Sequence, residues 1–589
     1  MKKITKGNIV FIILAFVFLS IYFIPKKEVV EREDESYVVN PRLLTNLDSF
    51  KIAVPKTNNN LSMLEKSETD VSLLSRLVNP SLFYKDKSNN VKKEIAKDYW
   101  YENEGKTIAI TLRDDFEFGN GKKLTTKNIL NTYKVLADPS FNGNEFTLLE
   151  NLEGYYPYKV KLTKDFEGVE VLGDYYIKFH FKTANLSNIN ALLYPILNID
   201  DDDYKYNEVY KIDRNKILDG AGTYSVSHYN EKSVKLELKN IPKNRDIRVK
   251  NIEIFSLNYI EAIEKFKKGE LDILHKYART ENLDSYMDER LFQFAKTIDN
   301  QSYNYHYIGF HKNSKIFNDE RNRLGLRNSI DIKKMVESNI GKDIYTFPNI
   351  PVYENSWFNK QGVEFNNTEK LEEILSKKYK KQGKYFIDDK NKDLDIRLVY
   401  SKDDIFFKRI LDDFIKSIED NGVKVKAQSL STKDMYKAIS GELDYDIYVS
   451  QRKMSEVPEY KYEENYKEVE GYTITSIMED GFLYLLEKIK TNTDDPFIVQ
   501  ISDRWKQSFE KTVPYVVLST QNVTSIINNR IEGIYLNEFV GLDNIENLKN
   551  IKFEEWFPEL SGECSKTTII CYNIQAKIKK QNRRWIWAN

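Results

Sequence analysis

The chain has 589 residues and carries 89 Lys and Arg against 90 Asp and Glu, a net charge of −1. That balance leaves no global basic field for nucleic acid, and a chain this long needs more than one core. Two cysteines exclude a disulfide framework or a cysteine metal cluster for the main body, while 39 Tyr and 32 Phe supply surface for cores and clefts.

Residues 9–24, IVFIILAFVFLSIYFI, are apolar throughout, with Lys2, Lys3 and Lys6 before them and Lys26 and Lys27 after. At about 1.5 Å per residue the run falls slightly short of a hydrocarbon core of about 30 Å. Gly7, Asn8 and Pro25 extend it into the headgroups, and the lysines snorkel. A cleaved signal is the alternative, but no small-x-small site follows in Ser20-Ile21-Tyr22-Phe23-Ile24-Pro25. The reading is a cytoplasmic tip and uncleaved signal anchor over 1–25 and a polar, acidic tether over 26–47. The bulk of the chain is then expected on the extracytoplasmic side of the cell membrane.

Phe50 to Val54 predicts a first strand, closed by Pro55. Thr107 to Arg113 alternates as a half-buried strand should. Asn120-Gly121 marks a turn. Thr125 then predicts a helix cap through its hydroxyl, with Ile129, Leu130, Tyr133 and Leu136 on one helix face and Asp138-Pro139 as the stop.

The run Leu112-Arg113, Phe116, Phe118, Asn120-Gly121, Leu124-Thr125 and Asn128-Ile129 resembles the signature of family 5 solute-binding proteins, the receptors of peptide, dipeptide and nickel ABC importers. Asn120 and Asn128 stand where that family usually has acids. The resemblance continues through Gly154-Tyr155-Tyr156, Phe166 to Val169, Asp174 to Phe179, and Asp219-Gly220-Ala221-Gly222-Thr223-Tyr224, whose glycines suit a backbone bend. No Lys-Ser/Thr follows them, so they are no phosphate loop.

Further on, Ala262, Ile263 and Phe266 face one side of a helix that Gly269 stops, and Leu271-Asp272-Ile273 begins a strand. Gly-Glu-Leu-Asp at 269–272 recurs at 441–444, which predicts the same helix-to-strand passage in two α/β lobes. Tyr303 to His311 alternates as a strand. It leads to Phe317-Asn318-Asp319, Arg321, Arg323 and Ile330-Asp331, which match the family closely, while His311 and Ile332 depart from it. Leu394 to Tyr400 predicts a strand, and Phe406, Ile410, Phe414 and Ile418 line a helix ended by Asn421-Gly422. Residues 498–517 and 550–556 resemble the family's last helix, last strand and closing segment. The likeness covers roughly residues 48–556.

The resemblance implies an α/β, two-lobed periplasmic-binding-protein-like fold of type II with an extra subdomain, preceded here by a transmembrane helix. Its expected divisions are lobe 1 over 48–310, with the subdomain near 61–180, lobe 2 over 311–515, a return to lobe 1 over 516–556, and a C-terminal tail over 557–589. It implies a tethered receptor without enzymatic activity or cofactor. Its expected partners are a peptide ligand, ABC permease subunits and, through residues 9–24, the membrane. Nucleic acid is not among them. A sensor or adhesion protein without transport, and a nickel or metal-chelate receptor, are the alternatives.

The site it implies uses the cleft strand tyrosines Tyr303, Tyr305 and Tyr307, and the loop after Tyr445-Asp446-Ile447. There Arg452 takes the family's Trp position and Ser455 that of the acid that holds a peptide ammonium, with Glu456 adjacent. Glu456 takes over the ammonium, or Arg452 pairs with a carboxylate instead.

Other chemistry is thin. No HExxH or Gly-x-Ser-x-Gly pattern occurs. Asp200 to Asp203 reads as a solvated loop, and His306 and His311 as polar strand residues rather than metal ligands. Cys564 and Cys571 leave a local bridge open, and the basic, aromatic end KIKKQNRRWIWAN reads as a tail.

Overall fold

The computed structural model describes residues between 49 and 553, with gaps of which the largest are 57–72, 281–290 and 455–499. The chain divides after Asn40, and every described residue belongs to the second unit, Pro41–Asn589. The apolar run 9–24 and the tail with its two cysteines therefore lie outside the described residues. Among the described residues no helix is long and apolar enough to cross a membrane.

The main sheet holds β1 (Ser49–Pro55), β2 (Tyr224–Tyr229), β3 (Ser233–Leu238), β4 (Asn251–Leu257), β5 (Ile273–Ala278), β6 (Ala295–Phe310), β7 (Tyr345–Thr346), β8 (Asp395–Ser401), β9 (Lys424–Leu430), β10 (Ile447–Lys453) and β11 (Tyr515–Asn528). Their order is β9-β8-β10-β6-β11-β5-β1-β4-β3-β2, with β7 beside β11. β1 runs parallel to β4 and β5, and β8 runs parallel to β9 and β10. Parallel neighbours need crossovers, and helices supply them. The Tyr259–Lys267 helix leads into β5, Ile405–Asp420 joins β8 to β9, and Thr432–Ile439 leads into β10.

The Ile405–Asp420 helix shows how the sequence dictates this. Phe406, Phe407, Ile410, Phe414 and Ile418 are buried on one face. Asp404 caps its start by accepting from the Phe407 N–H at 2.9 Å, and Gly422, at φ 84°, turns the chain away after it. Its apolar stripe packs with Ile308, Leu398, Val449 and Val516 into the core of one lobe. Ile52, Ile254, Ile273, Leu236 and Ile527 lie in the core of the other.

Two long strands serve both lobes. Residues 295–301 of β6 pair with 528–522 of β11 beside β5, and 305–309 pair with 520–515 beside β10. Between those stretches the register shifts. The Thr520 hydroxyl lies 3.2 Å from the Ser302 carbonyl and 2.8 Å from that of Asn304, so it satisfies oxygens that the bulge takes out of the ladder. Thr520→Val is expected to lower the unfolding free energy by about 1–3 kcal/mol, read by urea denaturation. A change within error would show that the hydroxyl holds nothing.

The Gly-Glu-Leu-Asp echo does mark the same passage into β5 and into β10, but its alignment needs correcting. The residues in equivalent positions are Asp272 and Asp446, each directly before its strand. Asp444 is exposed and pairs with Arg397. Asp272 is fully buried against Arg530, with Arg530 Nη2 at 2.7 Å from Oδ1, and neither side chain touches solvent.

A third body stands apart from the main sheet. Its strands Ala96–Glu102, Thr107–Leu112, Tyr176–His180 and Val169–Gly173 lie side by side in that order. The Thr126–Ala137 helix covers one face, packing Ile129, Tyr133 and Leu136 with Ile108, Ile110 and Phe179. Its start is closed by a capping box between Thr125 and the third helical residue, in which Asn128 Oδ1 accepts from the Thr125 N–H at 3.0 Å. Asn128 Nδ2 also donates to Asp200 Oδ1 at 3.2 Å. The acidic run is more than a solvated loop: Asp200 pairs with Lys122 at 2.9 Å and Lys216 at 3.1 Å, and Lys216 also holds Asp203. Gly220 and Gly222 are needed for close approach. A Cβ at either would sit 2.2–2.5 Å from the Val78 backbone, where the Gly222 N–H donates to the Val78 carbonyl.

Candidate ligand cleft

Strand alternation sorts β6 into two faces. Tyr305 and Tyr307 point one way with Gly309, and His306, Ile308 and Phe310 point the other, toward the Ile405–Asp420 helix. Cross-strand pairing extends the first face. Tyr305 pairs with Arg452, Gly309 with Tyr448 on β10 and Tyr515 on β11, and Tyr307 with Val517. The result is an aromatic wall completed by Tyr353, Phe358, Tyr445 and Phe509. Tyr101 and Ala184, from the region of the four-stranded body, pack against it.

The rings meet edge to face, the favoured arrangement for aromatic quadrupoles. Centroids lie 5.6 Å apart for Tyr307 and Tyr448, 5.8 Å for Tyr307 and Tyr515, and 5.6 Å for Tyr445 and Tyr448. The Arg452 guanidinium sits 5.2 Å from the Tyr307 ring centroid, a cation–π contact that places a positive charge on the wall. Gly309 makes room for this packing: a Cβ there would lie 2.1 Å from the Tyr448 ring. The Tyr307 hydroxyl donates to that of Tyr448 at 3.3 Å.

Burial raises the Tyr448 phenol well above its ordinary value, as it does that of Tyr101. Both are therefore neutral hydrogen-bonding groups near neutral pH. Burial also pushes Tyr84, Tyr99 and Tyr345 up to about 12. Because the unfolded chain ionises first, near pH 10, the stability these groups lend is complete below that pH and is lost as pH rises through about 12. Ultraviolet titration of tyrosinate is expected to show a late class that ionises only as the protein unfolds. A single transition near pH 10 in folded protein would contradict this.

Of the residues singled out in sequence, the structure brings Tyr305, Tyr307 and Arg452 together, with both tyrosines buried. Tyr303 lies on β6 at the bulge, with its side chain outside the described residues, as are Ser455 and Glu456 altogether. His306 and His311 do not converge. The His306 ring stacks on Phe406 at 4.0 Å and its Nε2 is 2.7 Å from Gln451 Nε2 and 3.5 Å from Asp404. The His311 ring packs on Tyr445, and its Nδ1 accepts from the Asn313 N–H at 3.3 Å. Among the described residues, no group of three His, Cys, Asp or Glu side chains is placed to hold a metal.

Sequence reading missed Tyr101, Tyr353, Tyr448 and Tyr515. One signal was there: the alternation Tyr303, Tyr305, Tyr307 runs on to Gly309, and an inward glycine invites a cross-strand aromatic over it.

Residues 90–465 match the bacterial extracellular solute-binding proteins, family 5, middle region. The chain belongs to this family. Family 5 members are binding proteins, with the two-lobed α/β architecture seen here. Over 89 residues the chain is 32% identical to the oligopeptide-binding protein OppA of Lactococcus lactis subsp. cremoris, a stretch that spans 15% of each chain. Its fold is similar to that of the oligopeptide-binding protein AppA from Bacillus subtilis in complex with a nonapeptide, with a TM-score of 0.56 and 16% identity over 86% of this chain and 99% of that one. It is similar as well to NikZ from Campylobacter jejuni in complex with Ni(L-His), with a TM-score of 0.55 and 16% identity over 86% of this chain and all of that one. At these identities the solved structures establish the fold alone and not the ligand.

Proposed function

We propose that this family 5 protein is a receptor tethered outside the cell membrane by residues 9–24, which captures peptides between its lobes and passes them to an ABC permease. One observation carries the reading: an aromatic wall with an arginine on it faces a separate body of the same chain. Tyr305, Tyr307 and Arg452 contribute to that wall, and Tyr303, Ser455 and Glu456 are assigned to the same ligand-facing site. In this reading the four-stranded body is the extra subdomain of a type II binding protein.

The physics suits a peptide. Extended backbone hydrogen-bonds regardless of sequence, and water in side pockets accepts varied side chains. The tyrosine rings offer apolar area with a polar edge, and Arg452 offers a cation for a carboxylate. A nickel-chelate receptor would draw on clustered imidazoles or carboxylates, whereas His306 and His311 face different surroundings. The test is mass spectrometry of molecules released by denaturing the purified full chain. Peptides of several residues are expected, and recovery of only metal chelates or sugars would overturn the proposal.

A further inference from the structure

Asp272 and Asp446 make the same four contacts in different lobes. The Asp272 N–H donates to the Lys51 carbonyl at 2.8 Å, and its Oδ2 accepts from the Lys51 N–H at 2.8 Å. The Asp446 N–H donates to the Arg397 carbonyl at 3.0 Å, and its Oδ2 accepts from the Arg397 N–H at 2.8 Å. Lys51 and Arg397 lie on β1 and β8, the parallel neighbours of β5 and β10.

The other two contacts reach the long strands. The Asp272 carbonyl accepts from the Asn528 N–H at 2.9 Å, where β11 ends, and the Asp446 carbonyl accepts from the His311 N–H at 2.9 Å, directly after β6 ends. Each Oδ1 then takes a side chain from just beyond that end. Arg530 Nε donates to Asp272 at 2.8 Å, and the Ser314 hydroxyl donates to Asp446 at 2.7 Å.

We propose that these aspartates are one latch used twice, each pinning the far end of one long strand, and that Asp446 is thereby a positioning residue for the ligand wall. It rests on reading that wall as ligand-facing. A carboxylate suits the post because both its oxygens accept: an amide at 272 would face the Arg530 donors with a donor, and an amide at 446 would force the Ser314 hydroxyl to turn from donor to acceptor and would forfeit the charge. With β11 fixed at Asp272 and β6 fixed at Asp446, bending is left to the irregular stretch between them, where the register shifts at 302–304 and again between His306 and Tyr307. Asp446 also sets where β10 begins, hence the register that lays Tyr448 over Gly309 and Arg452 over Tyr307. A slip of one residue would turn those side chains to the other face.

The test measures the spread of distances between the lobes by paired spin labels in the full chain. Cys564→Ser and Cys571→Ser clear the background, and Ile260→Cys and Ile405→Cys place labels at two exposed positions. Asp446→Asn is expected to broaden the distribution without any ligand, and to weaken retention of a tryptic casein digest about tenfold. Asp444→Asn, two residues away on the exposed Arg397 pair, is expected to match the parent in both. An Asp446→Asn distribution as narrow as that of Asp444→Asn overturns the latch. Should Asp446→Asn not fold, Ser314→Ala decides: broadening supports the latch, and a parent-like spread overturns it. If the parent retains no casein peptide while Asp446→Asn still broadens, the latch stands and the peptide reading falls.

Discussion

Arg530→Ala is expected to lower the unfolding free energy by about 3–5 kcal/mol, a large part of the 5–15 kcal/mol typical of a folded domain. Arg530 and Asp272 are both wholly shielded from water. Removing the guanidinium leaves a carboxylate in the lobe core with one oxygen stripped of its donors. The cost is dominated by that stranded charge rather than by the lost attraction. Asp272→Ala is expected to cost at least as much, because it also strips the Lys51 N–H of its acceptor. The double variant should cost clearly less than the sum, since the two residues form one unit. Urea denaturation of the four proteins checks this, and additive losses would show that the pair is not coupled.

Gly309→Ala is expected to break the wall without removing any of its polar groups. The new methyl would overlap the Tyr448 ring, which is 4% exposed and hemmed in by Tyr307 and Tyr445. The ring must leave, and overpacking of this kind costs about 1–3 kcal/mol. Peptide retention should fall more than stability does, because Tyr307 and the Arg452 resting on it lose their support. Gly325→Ala is the control: its Cβ would meet Leu371 and Ile374, away from the wall. It should cost stability without a matching loss of retention. Equal losses of retention in both variants would contradict the role given to the wall.

How much of this was legible in sequence depended on range. The apolar face of the Ile405–Asp420 helix and its Asn421-Gly422 stop are local signals, and the structure has them where the spacing put them; the Asp404 cap went unread. The tyrosine alternation likewise gave one face of β6. Its true length was hidden, because residues 295–302 are mostly polar and are held in the sheet by β11, more than two hundred positions on. Pairing with so distant a partner leaves no local periodicity. Tyr101 joins the wall from a different body, and nothing around it in sequence announces that contact. The repeated Gly-Glu-Leu-Asp pointed to the right passage but not to the equivalent aspartates, because Tyr445 and Asp446 intervene before the second strand. What identifies the working aspartate is its place directly before an isoleucine that opens a strand.

Small-angle X-ray scattering of the purified protein, before and after addition of a peptide recovered from it, tests capture by closure most directly. The two lobes are expected to draw together, with a smaller radius of gyration and a one-to-one endpoint. An unchanged radius at saturating peptide would contradict the account.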